Sequence, residues 1–362
     1  ATVPTEGTRG KRYFPSVESI DDIENYAEEL GLELFHIKDF SYKISIQPNS
    51  GTQANQIVYN AILNTGDTVL ALNPKDGGHI SHTKLGCRDI RPIYFSLNKN
   101  LEIDYEMLEN QIINEKPKLV IVGASSYIKE FDYQKIYTIT SRYKVPLMAD
   151  ICHSVLYIMG NIHKNIFPFV DFATFTMDKL LCGPQGGVIV YKDEYDSKIG
   201  TSIFPKTQGG PIQNSLFSKT MCFLKLSSMN VEEYAKSIID NTNLMINVLK
   251  TQNIKTINDI AENHIILVDV TTNGISGKIA EEMLYKHGVL VNRNQIPNDK
   301  QSALITSGIR IGTVPITNLN YSNSDITILG KYLATVINGE IPQKEDFLYL
   351  IEKYHKHINI SN

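Results

Sequence analysis

Between Thr52 and Leu63 the apolar residues Ala54, Ile57, Val58, Ala61 and Ile62 recur at helical spacing on one face, and Gly66 follows as a stop. The pattern then becomes continuous rather than periodic. TVLAL (68–72), KLVIVGA (118–124), PLMAD (146–150), DFATFTM (171–177) and GGVIVYK (186–192) are β-prone and apolar on both faces. Such runs, separated by helical stretches such as 133–143, predict a mostly parallel sheet covered by helices, an α/β class. In sheets of this kind ligands bind beyond the carboxyl ends of the strands. After about residue 215 the character changes. A long helical stretch over 215–250 precedes short strands ILVDV and VLVNRN, with a helix-like segment between them from Ser276 to His287. The expected organisation is an N-terminal arm and large domain over 1–215 and a smaller C-terminal α+β domain over 216–362.

Composition changes this picture little. The chain has 362 residues, 42% hydrophobic and 20% charged, with a net charge of -4. That is the balance of an ordinary globular protein, large enough for two domains. It offers no general electrostatic attraction to nucleic acid or to an anionic membrane. No run approaches a membrane span, and the N-terminus carries no signal-peptide pattern. The four cysteines (Cys87, Cys152, Cys182 and Cys222) form no CxxC, which points away from zinc or a disulfide framework and toward a reducing, cytoplasmic setting. The first residue is Ala rather than Met, as expected of a processed or trimmed chain.

Three polar features fall where the sheet pattern directs attention. Asn49-Ser50-Gly51-Thr52-Gln53-Ala54-Asn55 precedes the first strong helix. Small and hydroxylated residues there leave backbone N–H groups open to a phosphate, although Ser50 or Thr52 would serve equally as a plain N-cap. Asp150 ends PLMAD, with His153 three residues on. An acid at that point can pair with a cationic ring nitrogen or merely cap the next turn, whereas Asp171 reads as a turn residue. Lys179 closes DFATFTM-Asp178 before the turn GPQGG, a place where an unpartnered ammonium would be costly to bury. A phosphate loop, an acid for a pyridinium and a lysine for a Schiff base, in this order at successive sheet edges, are together the requirements of pyridoxal phosphate.

Here the chain resembles the serine hydroxymethyltransferases, within the aspartate-aminotransferase-like, fold-type I pyridoxal phosphate enzymes. EGTRGKRYF (6–14) is similar to EGYPGKRYY of that family, QPNSGTQAN (47–55) to QPHSGSQAN, and GGHISH (77–82) to GGHLTH. DICHSV (150–155) matches DMAHVAG in part, and TMDKLLCGPQGG matches TTHKTLxGPRGG. IFPKTQGGP (203–211), VNRNQIPND (291–299) and SGIRIGT (307–313) resemble VFPGGQGGP, VNKNxxPND and SGIRVGT. The resemblance implies that Lys179 carries the cofactor as a Schiff base and Asp150 pairs with its pyridinium. It places His79 on the ring and His153 and Ser125 near the phenolic oxygen, with Thr176 also at the cofactor. Ser50, Gly51, Thr52 and Gln53 would cradle the phosphate, with Gly210 from a neighbouring subunit. Arg310 would hold the amino-acid carboxylate in a bidentate pair, and Glu6 and Tyr13 would face substrate across a homodimer or dimer of dimers. Pyridoxal 5'-phosphate is the implied cofactor; whether tetrahydrofolate is also used stays open.

The departures bear on the reaction. Pro4 and Phe14 stand where the family has tyrosines, Asp178 replaces a His, and Gln185 replaces an Arg. Phe204 and Asn294 persist from the folate side, though they suit core and turn roles as well. The expected activity is hydroxymethyl or aldol-type transfer at the Cα–Cβ bond of a small amino acid. The alternatives are an aminotransferase, decarboxylase or folate-independent aldolase on the same cofactor, and a non-catalytic binding subunit.

Overall fold

The computed structural model describes residues 4–83 and 89–354, so Cys87 lies outside the described residues. The chain divides into two compact units. The first comprises the residues up to Pro74, Gly78–Ser125 and Phe131–Ala235; the second comprises Lys75–Gly77, Ser126–Glu130 and the chain from Lys236 onward.

The first unit is built on seven strands: β1 (Tyr42–Ser45), β2 (Thr68–Leu72), β3 (Arg91–Phe95), β4 (Leu119–Gly123), β5 (Leu147–Asp150), β6 (Phe172–Thr176) and β7 (Gly187–Lys192). Their spatial order is β1-β7-β6-β5-β4-β2-β3. The pairs β2–β3, β2–β4, β4–β5 and β5–β6 are parallel. β7 runs antiparallel to both of its neighbours, β6 and β1. The mostly parallel sheet therefore holds, with one reversal. The connection over residues 177–186 contains no crossover helix, and without one the chain can return only antiparallel.

Helices α1 (Glu18–Leu34), α2 (Gly51–Ile62), α3 (Tyr105–Glu115), α4 (Tyr133–Arg142) and α5 (Gln213–Ser227) belong to the same unit. The helix expected from Thr52 starts one residue earlier, because the Ser50 hydroxyl accepts from Gln53 N–H and caps it. Ala54, Ile57 and Val58 are fully buried, in one core with Val69 and Ala71 of β2, Ile121 of β4, Met148 of β5 and Ile189 of β7. Burial on that face aims the first turn of α2 at the carboxyl ends of β5 and β6, where the candidate residues lie.

The helical stretch expected over 215–250 is two helices, α5 and α6 (Val231–Thr251). Asn230 separates them: its side-chain oxygen accepts from Glu233 N–H and starts a new helix, a contact that period counting does not register. The second unit carries an antiparallel sheet of Lys255–Thr256, Ile265–Asp269, Gly308–Gly312 and Asn292–Asn294, in that spatial order. Ile266, Val268, Ile309 and Ile311 of this sheet pack with Leu249, Leu284 and Leu333 into a separate core. No helix among the described residues is long and apolar enough to cross a membrane.

Candidate active site

Register places the site before any side chain is considered. Gly123 of β4 lies opposite Asp150 of β5, and Asp150 lies opposite Thr174 of β6. Parallel pairing thus brings the ends of three strands level, and a pocket opens beyond them. Its lining includes Ser50, Gly51 and Thr52 from the start of α2, His79, Ala124, Asp150, Cys152, His153, Thr176, Asp178 and Lys179.

Asp150 is the electrostatic centre of this pocket. Its side chain is buried, and Oδ2 accepts from His82 Nε2 at 3.0 Å and from Asn55 Nδ2 at 2.9 Å. Oδ1 accepts from Cys152 N–H at 3.3 Å. Burial alone would raise the carboxyl's pKa. The hydrogen bond and charge of His82, with the Asn55 amide, outweigh that and hold it far below the usual carboxylate range. Asn55 is fixed in turn, donating to Ser81 Oγ and accepting from Thr174 Oγ1. A buried anion of this kind is matched to a cationic ring nitrogen.

His79 lies beside this network, with Nδ1 2.7 Å from Ser81 Oγ and its ring 5.7 Å from that of His82 in an edge arrangement. Cys152 lines the pocket as a neutral thiol, since burial, reinforced by the charge of Asp150, pushes its pKa well above the usual value. His79, His82 and Asp150 could offer three ligand atoms to a metal within 4.8 Å. The His82–Asp150 hydrogen bond already occupies one atom of each, so we read the cluster as a polar network.

Lys179 departs from its expected place. It is not the last residue of a strand; β6 ends at Thr176, and the lysine sits exposed in the following turn, bordering the pocket. Asp178 beside it is also exposed and accepts a hydrogen bond from the Thr176 hydroxyl. Gln53 is not among the pocket's lining: its Oε1 accepts from Asn49 N–H and its Nε2 donates to Gln208 Oε1 at 3.1 Å. Ser125 follows the lining residue Ala124 and is itself half-buried.

Other candidates lie elsewhere. Glu6 and Tyr13 sit in the N-terminal arm, where Tyr13 N–H donates to Glu6 O. Tyr13 is 75% exposed, and one carboxylate oxygen of Glu6 is buried without a partner among the described residues. A Cβ on Gly210 would approach Thr5 Oγ1 at 3.0 Å, so this glycine packs on the arm of its own chain. Arg310 belongs to the second unit, half-buried, with Nε donating to Asn292 Oδ1 at 3.0 Å and its pKa lowered by burial. Sequence reasoning missed His82 and Asn55. Both stood inside quoted motifs, but their role depends on contacts between separate elements.

A helix start for an anion, a buried carboxylate for a ring cation and a lysine bordering one pocket form the donor set that pyridoxal phosphate needs. The sequence agrees: the profile of the family "Serine hydroxymethyltransferase" matches residues 3–333. The chain belongs to the serine hydroxymethyltransferase family. It is 36% identical over 337 residues to the "Serine hydroxymethyltransferase" of Francisella tularensis subsp. novicida, covering 92% of this chain and 80% of that one. The same values hold against the protein of that name from Francisella philomiragia subsp. philomiragia. As a serine hydroxymethyltransferase-like protein, the chain is a pyridoxal phosphate-dependent transferase acting at the Cα–Cβ bond of a small amino acid. Tetrahydrofolate is the family's co-substrate.

Proposed function

We propose that the pocket between the start of α2 and the ends of β4, β5 and β6 binds pyridoxal phosphate and performs hydroxymethyl or aldol-type transfer on a small amino acid. The observation that carries this reading is that Ser50, Gly51, Thr52, His79, Asp150, His153 and Lys179 border one cavity. When bound, the cofactor supplies the electron sink that stabilises negative charge at Cα. Ser50, Gly51 and Thr52 hold its phosphate at a helix N-terminus, where backbone N–H groups and the helix dipole favour an anion. Asp150 holds the ring nitrogen's proton, and His79 covers the ring face. Lys179 anchors the group through Nζ, while Thr176, His153 and Ser125 serve its phenolic side. Arg310 orients the substrate carboxylate. Glu6, Tyr13 and Gly210 act across a homodimer, whose two chains each complete the other's site. The two compact units correspond in this reading to a large cofactor domain and a small domain.

A second reading, turnover without folate, is favoured by Pro4 and Phe14, where the family carries tyrosines that handle substrate and protons. Spectral titration with the twenty amino acids, followed by assay of serine-to-glycine conversion with and without tetrahydrofolate, separates the two. Lys179→Ala should lose the visible absorbance of the bound cofactor. Because this lysine is exposed, stability should shift by no more than about 0.5 kcal/mol. Wild-type protein that never acquires that absorbance would refute both readings.

A further inference from the structure

A second lysine of the first unit has no part in this account. Lys219 of α5 is fully buried, yet a lysine side chain is almost never buried without compensation. Its Nζ donates to three backbone carbonyls: Ile46 O at 2.7 Å, Pro48 O at 2.6 Å and Gly187 O at 3.3 Å. Those carbonyls belong to the two segments that meet at the pocket's phosphate end. Ile46 and Pro48 lead directly into Ser50, and Gly187 opens β7. Pro48 O also accepts from Gly187 N–H at 2.9 Å. The fit is close enough that a Cβ on Gly187 would lie 2.2 Å from Ser50 O, and one on Gly186 would lie 2.0 Å from Lys219 Cε.

We propose that Lys219 is a positioning residue for the cofactor's phosphate. Its ammonium straps the segment leading into Ser50–Thr52 onto the start of β7 and sets a positive charge behind that turn. The inference rests on the reading that the phosphate binds at the start of α2. Sequence alone gives no hint of it, since a lysine in SKTMCFLK reads as solvent-facing.

The charge has a predictable pH dependence. Burial lowers the lysine's pKa to about 7, opposed by the charge of Glu24 on α1. Glu24 is itself bridged to Arg12 and flanked by Arg9. The loop after β1 and the start of β7 present backbone carbonyls to the ammonium. Cys222, on the same helix, is a neutral thiol. The ammonium is therefore in place below about pH 7 and is lost above it. A bound phosphate, dianionic once its own pKa of about 6 is passed, favours the charged lysine and moves that loss to higher pH.

The test compares pyridoxal phosphate with pyridoxal, which lacks the phosphate, by absorbance titration of the cofactor-free protein. Lys219→Met should weaken pyridoxal phosphate about tenfold and pyridoxal by less than about twofold. In the wild type the ratio of the two affinities should fall as pH rises above about 7, and in the variant it should be flat. Equal weakening of both ligands, or of neither, overturns the proposal. If Lys219→Met does not fold, the wild-type series decides: a ratio that does not fall above neutral pH overturns it equally. Wild type that binds neither ligand would instead refute the reading of the pocket.

Discussion

Gly123→Ala tests whether Asp150 must sit where the strand register puts it. Gly123 and Asp150 lie opposite each other at the ends of β4 and β5. A Cβ added at Gly123 would come 2.5 Å from Asp150 O and 2.6 Å from Asp150 Cβ, whereas ordinary contact begins at 3.4 Å. Relief thus requires a displacement of about 0.9 Å, and the atoms in the way are backbone and Cβ rather than the tip of a flexible side chain. Because Asp150 is tied to His82 and Asn55 at 3.0 and 2.9 Å, the displacement also stretches the hydrogen bonds that keep it ionised. Misplacing a catalytic group by about 1 Å costs on the order of a hundredfold in rate, and overpacking costs about 1–3 kcal/mol in stability.

The expected result is a kcat reduced about a hundredfold in a protein that still folds. Turnover and visible cofactor absorbance should be measured at saturating cofactor, with stability from denaturant unfolding. Gly31→Ala is the control: its Cβ would meet the terminal methyl of Ile44 at 2.6 Å, in the contact between α1 and β1. That variant should lose stability without losing turnover. If Gly123→Ala keeps wild-type kcat and spectrum, Asp150 is not the group whose position governs the chemistry.

Two further substitutions probe the same site. His82→Leu removes a hydrogen bond to a carboxylate, worth about 1.5–3 kcal/mol, which should raise the Asp150 pKa by roughly one to two units. A carboxyl whose folded pKa is depressed contributes stability above its unfolded pKa and loses it as pH falls through the folded one. Acid loss of the cofactor absorbance should therefore begin about one to two pH units higher in His82→Leu than in wild type; coincident acid limbs would exclude the role given to His82. Gly187→Ala drives a methyl to 2.2 Å from Ser50 O and should raise the dissociation constant for pyridoxal phosphate about tenfold or more, with pyridoxal less affected. An unchanged constant would show that the Ser50 turn does not hold the phosphate.

What could be read in the sequence was whatever depends on neighbours along the chain. The apolar runs of β2, β4, β5 and β6 are continuous because both faces of a parallel sheet are covered, so strand ends and the polar residues just beyond them could be located by inspection. Asp150 follows from that alone, and Ser50 from the helical pattern that begins at Thr52. Features that depend on contact between elements were not legible. Gln53 stands in the motif expected to cradle a phosphate, but its side chain is taken by Gln208, a partner 155 positions away. His82 and Asn55 reach Asp150 from separate elements, and no period encodes that meeting. Lys179 falls beyond β6 because pairing with β7 ends at Thr176 and Gly187, a limit set by the partner strand.

The turn Gly183-Pro184-Gln185-Gly186-Gly187 looks in sequence like a device for letting the next strand leave without crowding the residue before it. The packing argues for a more specific requirement. Gly187 has no room for a side chain because Ser50 O occupies the space, and Gly186 has none because the Lys219 stem does. Gly186 O also accepts from Met177 N–H and from the Thr176 hydroxyl, which ties this turn to the segment carrying Lys179. One pair of glycines thus fixes the turn at Ser50, the buried Lys219 and the base of the loop carrying Lys179 relative to one another. The two lysines then divide what a single one could not do. In the proposed reading Lys179, which a ligand has to reach, borders an open pocket, whereas Lys219, which has to keep its place, is buried and held by three backbone carbonyls.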